Sequence, residues 1–311
     1  MGFISLQFFI SKKDIDTSPN TLLSTTNQVV QSISGVHMVE NYGNKQVWEL
    51  WANKGSLDNK NTWHISDIKV GFLADNGIIY KVTAPEGLVE GNPKNDLLKL
   101  RLLKDVVTKS SSGYTFYSKE AEYDKTAHEL VFPGPIKMTG PVKNSQDITL
   151  TGRDMTIYLK TNVIKIHSEI FARHQGSSET TTLTADSALL DGQKRIAKFI
   201  GNVDIKMTDF NVKCNLASFN FNENKLISAV LEEDLTASDE DKKLTAQKLL
   251  VDFINQTYTF QGNSTLESGS ESLSGDEIVI LEQGRRVKIS NAKAVLNPNS
   301  NTKPIKQPKI D

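Results

Sequence analysis

Along most of this chain apolar and polar residues alternate one by one instead of recurring every three or four positions. The stretch from Ala197 to Met207, AKFIGNVDIKM, carries the pattern in small. Ala197, Phe199, Val203, Ile205 and Met207 place an apolar residue at every second position on both sides of Gly201-Asn202. Such alternation predicts a strand with one dry face and one wet face. A Gly-Asn pair between two such runs is also a hairpin signal. Whether the chain turns there or runs on through a kink decides the fold.

The motif recurs, and its recurrence answers the question. Phe260-Gln261-Gly262-Asn263 and Phe132-Pro133-Gly134 are close copies, and Asp67, Asp105, Ser168, Ser228 and Asn291 occupy the glycine slot in weaker ones. The apolar members stand at 65, 103, 132, 166, 199, 226, 260 and 289, with gaps of 27 to 38 residues. Before each lies an earlier strand, which often opens with a small residue after an apolar or hydroxyl one, as in Leu183-Thr184-Ala185-Asp186, Leu150-Thr151-Gly152-Arg153, Leu244-Thr245-Ala246-Gln247 and Leu273-Ser274-Gly275-Asp276. Turn-like residues separate the two strands: Asp191-Gly192-Gln193-Lys194, Asn222-Glu223-Asn224-Lys225 and Glu282-Gln283-Gly284-Arg285. The turn thus precedes each kink by several residues. Gly201-Asn202 is then a corner inside one strand, where a residue tolerant of positive φ lets it bend.

Eight two-strand units follow, about sixteen antiparallel strands. The predicted fold is all-β: an elongated open β-jelly-roll of two facing sheets, each hairpin stabilised by its neighbours. Asp96–Leu103 (DLLKLRLL) also alternates and reads as strand. The acidic groups Glu232-Glu233-Asp234 and Asp239-Glu240-Asp241 read as solvated turns.

Composition sharpens this picture by exclusion. The chain has 311 residues and is 38% hydrophobic, which argues against a fat closed core. Lysine plus arginine is 36 against 37 for aspartate plus glutamate, so no overall field draws nucleic acid. Cys214 is the only cysteine, which excludes an internal disulfide and a cysteine-ligated metal. The five histidines show no metal-ligand spacing, and no nucleophile elbow, phosphate loop or dinucleotide fingerprint is present. No catalytic residue, metal or cofactor is expected. A parallel β-helix enzyme would need carboxylates clustered on one rung, and none are found.

Four segments are expected. Residues 1–27 hold an apolar start, Gly2 to Ile10 (GFISLQFFI), and a polar linker. Nine residues fall short of the roughly 20 that cross a bilayer. The stretch reads either as a remnant of an inner-membrane anchor or as a loosely docked terminus. Residues 28–146 and 147–296 form two continuous jelly-roll halves, and 297–311 is a disordered polar tail.

Bent strands turn one apolar face into the fold of a V. The expected lining is Phe132, Ile136, Met138, Ile164, Ile166, Phe199, Val203, Ile205, Met207, Phe219, Phe221, Tyr258, Phe260 and Leu266. If the sheets splay, this lining is an apolar groove for acyl chains. Each buried methylene contributes about 0.8 kcal/mol, so a dozen give roughly 10 kcal/mol before ordering costs. If the sheets close, the same residues merely pack together, and the chain is a structural or adhesive repeat protein. The first and last strands leave edges open to strand addition by partners of the same shape.

These residues carry a resemblance. Thr184-Ala185-Asp186 through Phe199-Ile200-Gly201-Asn202-Val203-Asp204-Ile205 resembles the OstA-like units of lipopolysaccharide-transport proteins. Ser274-Gly275-Asp276-Glu277-Ile278-Val279-Ile280, with Glu282 to Val287, is similar to the closing units of LptA, although Ile280 stands where that pattern has an aromatic. Val47-Trp48-Glu49-Leu50-Trp51-Ala52 to Asp67-Ile68 is similar to LptC. The likeness spans residues 36 to 296. It implies a periplasmic, non-enzymatic conduit for lipopolysaccharide, tethered to or associated with the inner membrane. An inner-membrane ABC transporter complex would meet its N-terminal edge, and another jelly-roll bridge protein its C-terminal edge.

Overall fold

The computed structural model describes residues 29–42, 45–91, 97–140, 147–175, 180–207, 210–222, 225–281 and 286–295. The apolar start and the polar tail lie outside them, as do the expected turn residues at 223–224 and 282–285. The described residues form strands and turns with no helix. No helix among them is long and apolar enough to cross a membrane.

The fold is all-β and antiparallel, in two compact units, Met1–Gly201 and Asn202–Asp311. In the first are β1 (Val29–Tyr42), β2 (Lys45–Asp58), β3 (Thr62–Leu73), β4 (Ile79–Gly91), β5 (Leu97–Ser110) and β6 (Thr115–Asp124). There follow β7 (Glu129–Thr139), β8 (Asp147–Tyr158), β9 (Val163–Gln175), β10 (Thr180–Ala185) and β11 (Ser187–Asp191). β12 (Ile196–Lys206) contains the boundary. The second unit holds β13 (Asn211–Asn222), β14 (Lys225–Ser238), β15 (Lys242–Asp252), β16 (Thr257–Ser268), β17 (Glu271–Leu281), β18 (Arg286–Ser290) and β19 (Lys293–Val295).

Nineteen strands replace the expected sixteen for three reasons. One pass breaks at Asp186 into β10 and β11, and another after Ser290 into β18 and β19. The third is β1, whose Ile33-Ser34-Gly35, with Gly35 at φ 70°, is a further glycine-slot copy outside the eight units counted from the sequence. Asp96–Leu103 falls in β5 from Leu97 on, as its alternation predicts.

The Gly-Asn question resolves as a corner. β12 runs through Gly201 (φ 78°) and Asn202 (φ 44°) without turning back, and Asp186 N donates to Gly201 O at 2.9 Å. A Cβ on Gly201 would overlap the Asp186 carboxylate, so glycine is required both for its φ and for space. Positive φ recurs at Asp67, Asp105, Gly134, Gly262 and Asn291, the predicted slots. The ladders lose register at the same points, for example between Phe132 and Pro135 and between Gln261 and Ser264.

Two slots require correction. In β9 the positive φ falls on Glu169 (56°), one residue past Ser168. In β14 Ser228 pairs with Asn220 and Asp252 without a positive φ, although the β13 ladder shifts register next to it, and the bend comes at Glu233 (φ 68°) and Asp234 (φ 53°). The acidic group read as a turn is therefore a strand corner. Leu231 and Leu235 are buried on either side while Glu233 and Asp234 stay exposed, so charge sits where the chain bulges outward. Asp239-Glu240-Asp241 does form the turn before β15.

Polar side chains tie neighbouring strands across the corners. Asp154 Oδ1 accepts from Gly134 N at 2.7 Å, Asp276 Oδ2 from Asn291 Nδ2 at 2.6 Å, and Asp234 Oδ2 from Asn215 Nδ2 at 2.9 Å. At Gly275-Asp276 the glycine fits inside the bend, where a Cβ would lie 2.6 Å from Ser290 O, and the aspartate bonds across it. At Gly152 a Cβ would lie 2.6 Å from Ile166 Cγ2. Hairpin turns follow a second rule. Asp58, Asp124, Asp191, Asp239 and Asp252, each at or just past a strand end, accept two backbone N–H bonds from the turn that follows. These are the local aspartate bonds that favour turns over further strand.

Candidate functional site

Register gathers the expected lining into rows. In the first unit Phe132 pairs with Met155, Met155 with Ile166, Ile166 with Ala188 and Ala188 with Phe199. Three of the expected residues thus share one cross-strand line. Ile164 sits in the adjacent line, opposite Ile157 and Leu190. Ile136 and Met138 lie beyond the corner of β7, opposite Gly152 and Leu150. All six are buried, Phe132 and Ile166 completely.

The layers on either side of the corner face one another in this unit. The Tyr123 ring packs against Phe72 with centroids 4.8 Å apart and edge-on to Trp48 at 6.5 Å. Polar ties join elements far apart in sequence. Tyr80 Oη donates to Asn162 Oδ1 at 2.5 Å across 82 residues, and Asp75 N donates to Leu159 O at 3.0 Å. Glu40, itself buried, receives the Trp48 indole N–H and an ion pair from Lys125 at 3.0 Å. Burial pushes the Tyr80 and Tyr123 phenols far above the ordinary range, and Glu40 adds to the shift at Tyr123. Both therefore remain neutral hydroxyls. None of these five polar residues was marked by the sequence; their pairing depends on strands separated by tens of residues.

The second unit differs. Val203 and Ile205 are buried at the end of β12, and Phe260 is buried in β16. Met207, Phe219, Phe221, Tyr258 and Leu266 remain half-buried. One row is informative: Phe219 pairs with Ala229, Ala229 with Val251, Val251 with Tyr258, Tyr258 with Ile280 and Ile280 with Val287. Along it Ala229 and Val251 are buried, Tyr258 and Ile280 half-buried, and Val287 is 49% exposed. Along this row the apolar face uncovers toward the last strands, while the next row, Leu231, Leu249, Phe260 and Ile278, stays buried. In the facing layer Leu244 is buried, whereas its row neighbours Leu266 and Leu273 are half-buried. Cys214 is buried, and burial pushes its thiol up to about 11, so it is an inert packing residue.

Among the described residues no group of three or more His, Cys, Asp or Glu could hold a metal ion. His37 and His64 pair singly with Glu49 and Asp58, and His167 meets Thr156 at 3.2 Å. Two open recesses lie in the first unit. One of about 490 Å³ is lined by Trp51, Lys69, Gly71 and Lys81 among others, and one of about 620 Å³ by Ser56, His64, Glu86 and Gly87 among others.

Comparison with known proteins agrees with the resemblance over one part of the chain. Residues 182–286 match the family described as LptA/(LptD N-terminal domain) LPS transport protein. The lipopolysaccharide-transport likeness is thereby borne out across the segment holding Gly201, Gly262 and the graded row as far as Ile280. No curated protein matches the chain. Among solved structures, a similar one is LptH, the LptA homologous periplasmic component of the lipopolysaccharide transport device from Pseudomonas aeruginosa. It is 15% identical, covers 38% of this chain and 95% of that one, and gives a TM-score of 0.35.

Proposed function

We propose that this chain is a periplasmic, non-catalytic component of lipopolysaccharide export that carries acyl chains on its inner apolar faces. The observation that carries the reading is the graded row in the second unit. From Ala229 to Val287 a single line of cross-strand partners passes from buried to exposed, within and just beyond the segment that matches the transport family. An apolar face that opens in this way offers partial burial, which lets a lipid bind without being trapped. Residues 28–146 serve as the LptC-like part and 147–296 as the LptA-like part, with association at the inner membrane.

Transfer runs from an inner-membrane ABC transporter complex at β1 toward another jelly-roll protein at β18 and β19. β1 pairs with β2, and β18 and β19 pair with β17. Their outer backbone edges suit strand addition. The test is lipid A binding by Tyr258→Asp and Ile280→Asp, both half-buried and therefore tolerant of change. A loss of affinity of about tenfold or more, with an unchanged circular dichroism spectrum, is expected from placing a charge among acyl chains. Unchanged affinity, or no lipid binding by the folded parent chain, would refute the reading.

A second reading has its own support. Complete burial of Phe132 and Ile166, together with the Tyr80–Asn162 tie, favours a closed core in the first unit. On that reading the chain is a structural or adhesive repeat protein, and the parent chain binds no lipid.

A further inference from the structure

The outward face of one layer of the first unit has a composition that neither the interior nor the strand edges explain. One row of register partners crosses ten strands, from His37 on β1 to Thr184 on β10. It carries Trp51, Lys69, Tyr117, Lys137 and Phe171, and all five are exposed. The neighbouring row, two residues nearer the hairpin tips, adds Lys81, Lys109 and Arg173. Within these two rows the only carboxylate is Glu49, which His37 engages at 2.8 Å.

The facing layer is built differently. Its outward face mixes signs: Lys99 and Arg101 lie against Glu122 and Glu120, Lys104 at the corner meets Glu86 at 2.5 Å, and Lys165, farther along the Arg101 row, is exposed. Lys69, Lys81, Lys109 and Lys137 make no ion pair among the described residues. A chain with net charge −1 thus keeps uncompensated positive charge on one flat side.

The aromatic groups are held for contact. His37 stacks on Trp51 at 3.6 Å and 10°, fixing the indole, which is still 52% exposed. Beside it Gly71 leaves a hollow, since a Cβ there would meet nothing within 4 Å. That hollow opens into the recess of about 490 Å³ flanked by Lys69, Lys81 and Ile79.

We infer that this face docks on an anionic lipid bilayer surface. Lysine and arginine near an anionic leaflet are attracted to its headgroups, and aromatic rings settle at headgroup level. Ten strands at about 4.8 Å spacing make the face some 40 Å wide, and its apolar members are dispersed over it. A continuous headgroup layer matches that spread better than one bound sugar does. The inference is independent of whether the interior takes acyl chains.

The experiment is flotation of the full chain with vesicles of phosphatidylcholine alone or mixed with phosphatidylglycerol. The chain should float with the mixed vesicles, lose binding as salt rises, and bind neutral vesicles weakly. Lys69→Glu/Lys81→Glu/Lys109→Glu should lower binding by at least about tenfold. The milder Lys69→Gln/Lys109→Gln should lower it less, with an unchanged melting temperature in either case. Equal binding to both vesicle types, or parent-like binding by both variants, overturns the inference, because the contact then lies elsewhere on the chain. Absent flotation together with salt-resistant retention on a heparin column assigns the face to an acidic glycan and overturns it as well.

Discussion

At Gly201 the backbone sits at φ 78° with the Asp186 carboxylate where a side chain would begin. Gly201→Ala must therefore strain the backbone and displace the aspartate, a loss of about 1–3 kcal/mol. Urea unfolding will show it as a lower midpoint, while Lys198→Ala, three residues away and exposed, should stay within about 0.5 kcal/mol. The turn aspartates make a second residue-scale prediction. Backbone N–H groups of Thr62 and Asn255 hold Asp58 and Asp252 below the ordinary carboxylate range. Asp191 is also held low: burial opposes this, but the backbone and side chain of Lys194 outweigh it. A carboxyl whose folded pKa is depressed stabilises above its unfolded pKa and loses that contribution as pH falls through the folded value. The melting temperature should hold steady from neutral pH down to about pH 4 and drop below it. Asp58→Asn should lessen the drop.

At the scale of elements, the bent strand is the unit, and the ties between distant turns keep two layers together. Tyr80→Phe removes the hydroxyl that bonds Asn162, leaving a buried amide oxygen unsatisfied. The expected cost is about 1–3 kcal/mol by denaturant unfolding, with faster hydrogen exchange in the turn before β9. This scale also separates what the chain announces from what it hides. The alternation and the glycine-slot spacing expose the strands and most of their corners, because a pleat has a period of two and a sharp bend needs a special φ. The corner of β14 is hidden because Glu233 is not a residue of choice for positive φ and Asp234 stands in an acidic run that imitates a turn, whereas Ser228 imitates the slot by spacing alone. The Tyr80–Asn162 and Glu40–Lys125 ties are hidden for another reason. Each joins strands whose proximity follows only from the stacked hairpins, so no local pattern marks them. Likewise, alternation selects the inner face but not its degree of burial. Phe132 and Tyr258 look alike in sequence, yet one is sealed and the other half open, and Phe260 on the same strand as Tyr258 is sealed again, so burial changes from row to row within one strand.

At the scale of the whole molecule, each unit carries an inner apolar face between bent layers, and the units differ in how fully it is covered. The first is packed and tied by polar side chains; the second uncovers along the row from Ala229 to Val287. The family match at 182–286 falls mostly on the second. Acyl chains should therefore engage Tyr258, Phe260 and Ile280 before any residue of the first unit. The most direct measurement places a photo-crosslinking amino acid at inner positions Tyr258 and Phe260 and at outer positions Lys248 and Gln261, then irradiates the purified chain with lipopolysaccharide. The account predicts adducts from the inner pair and none from the outer pair. Equal adducts from both pairs, or none from the inner one, would contradict it.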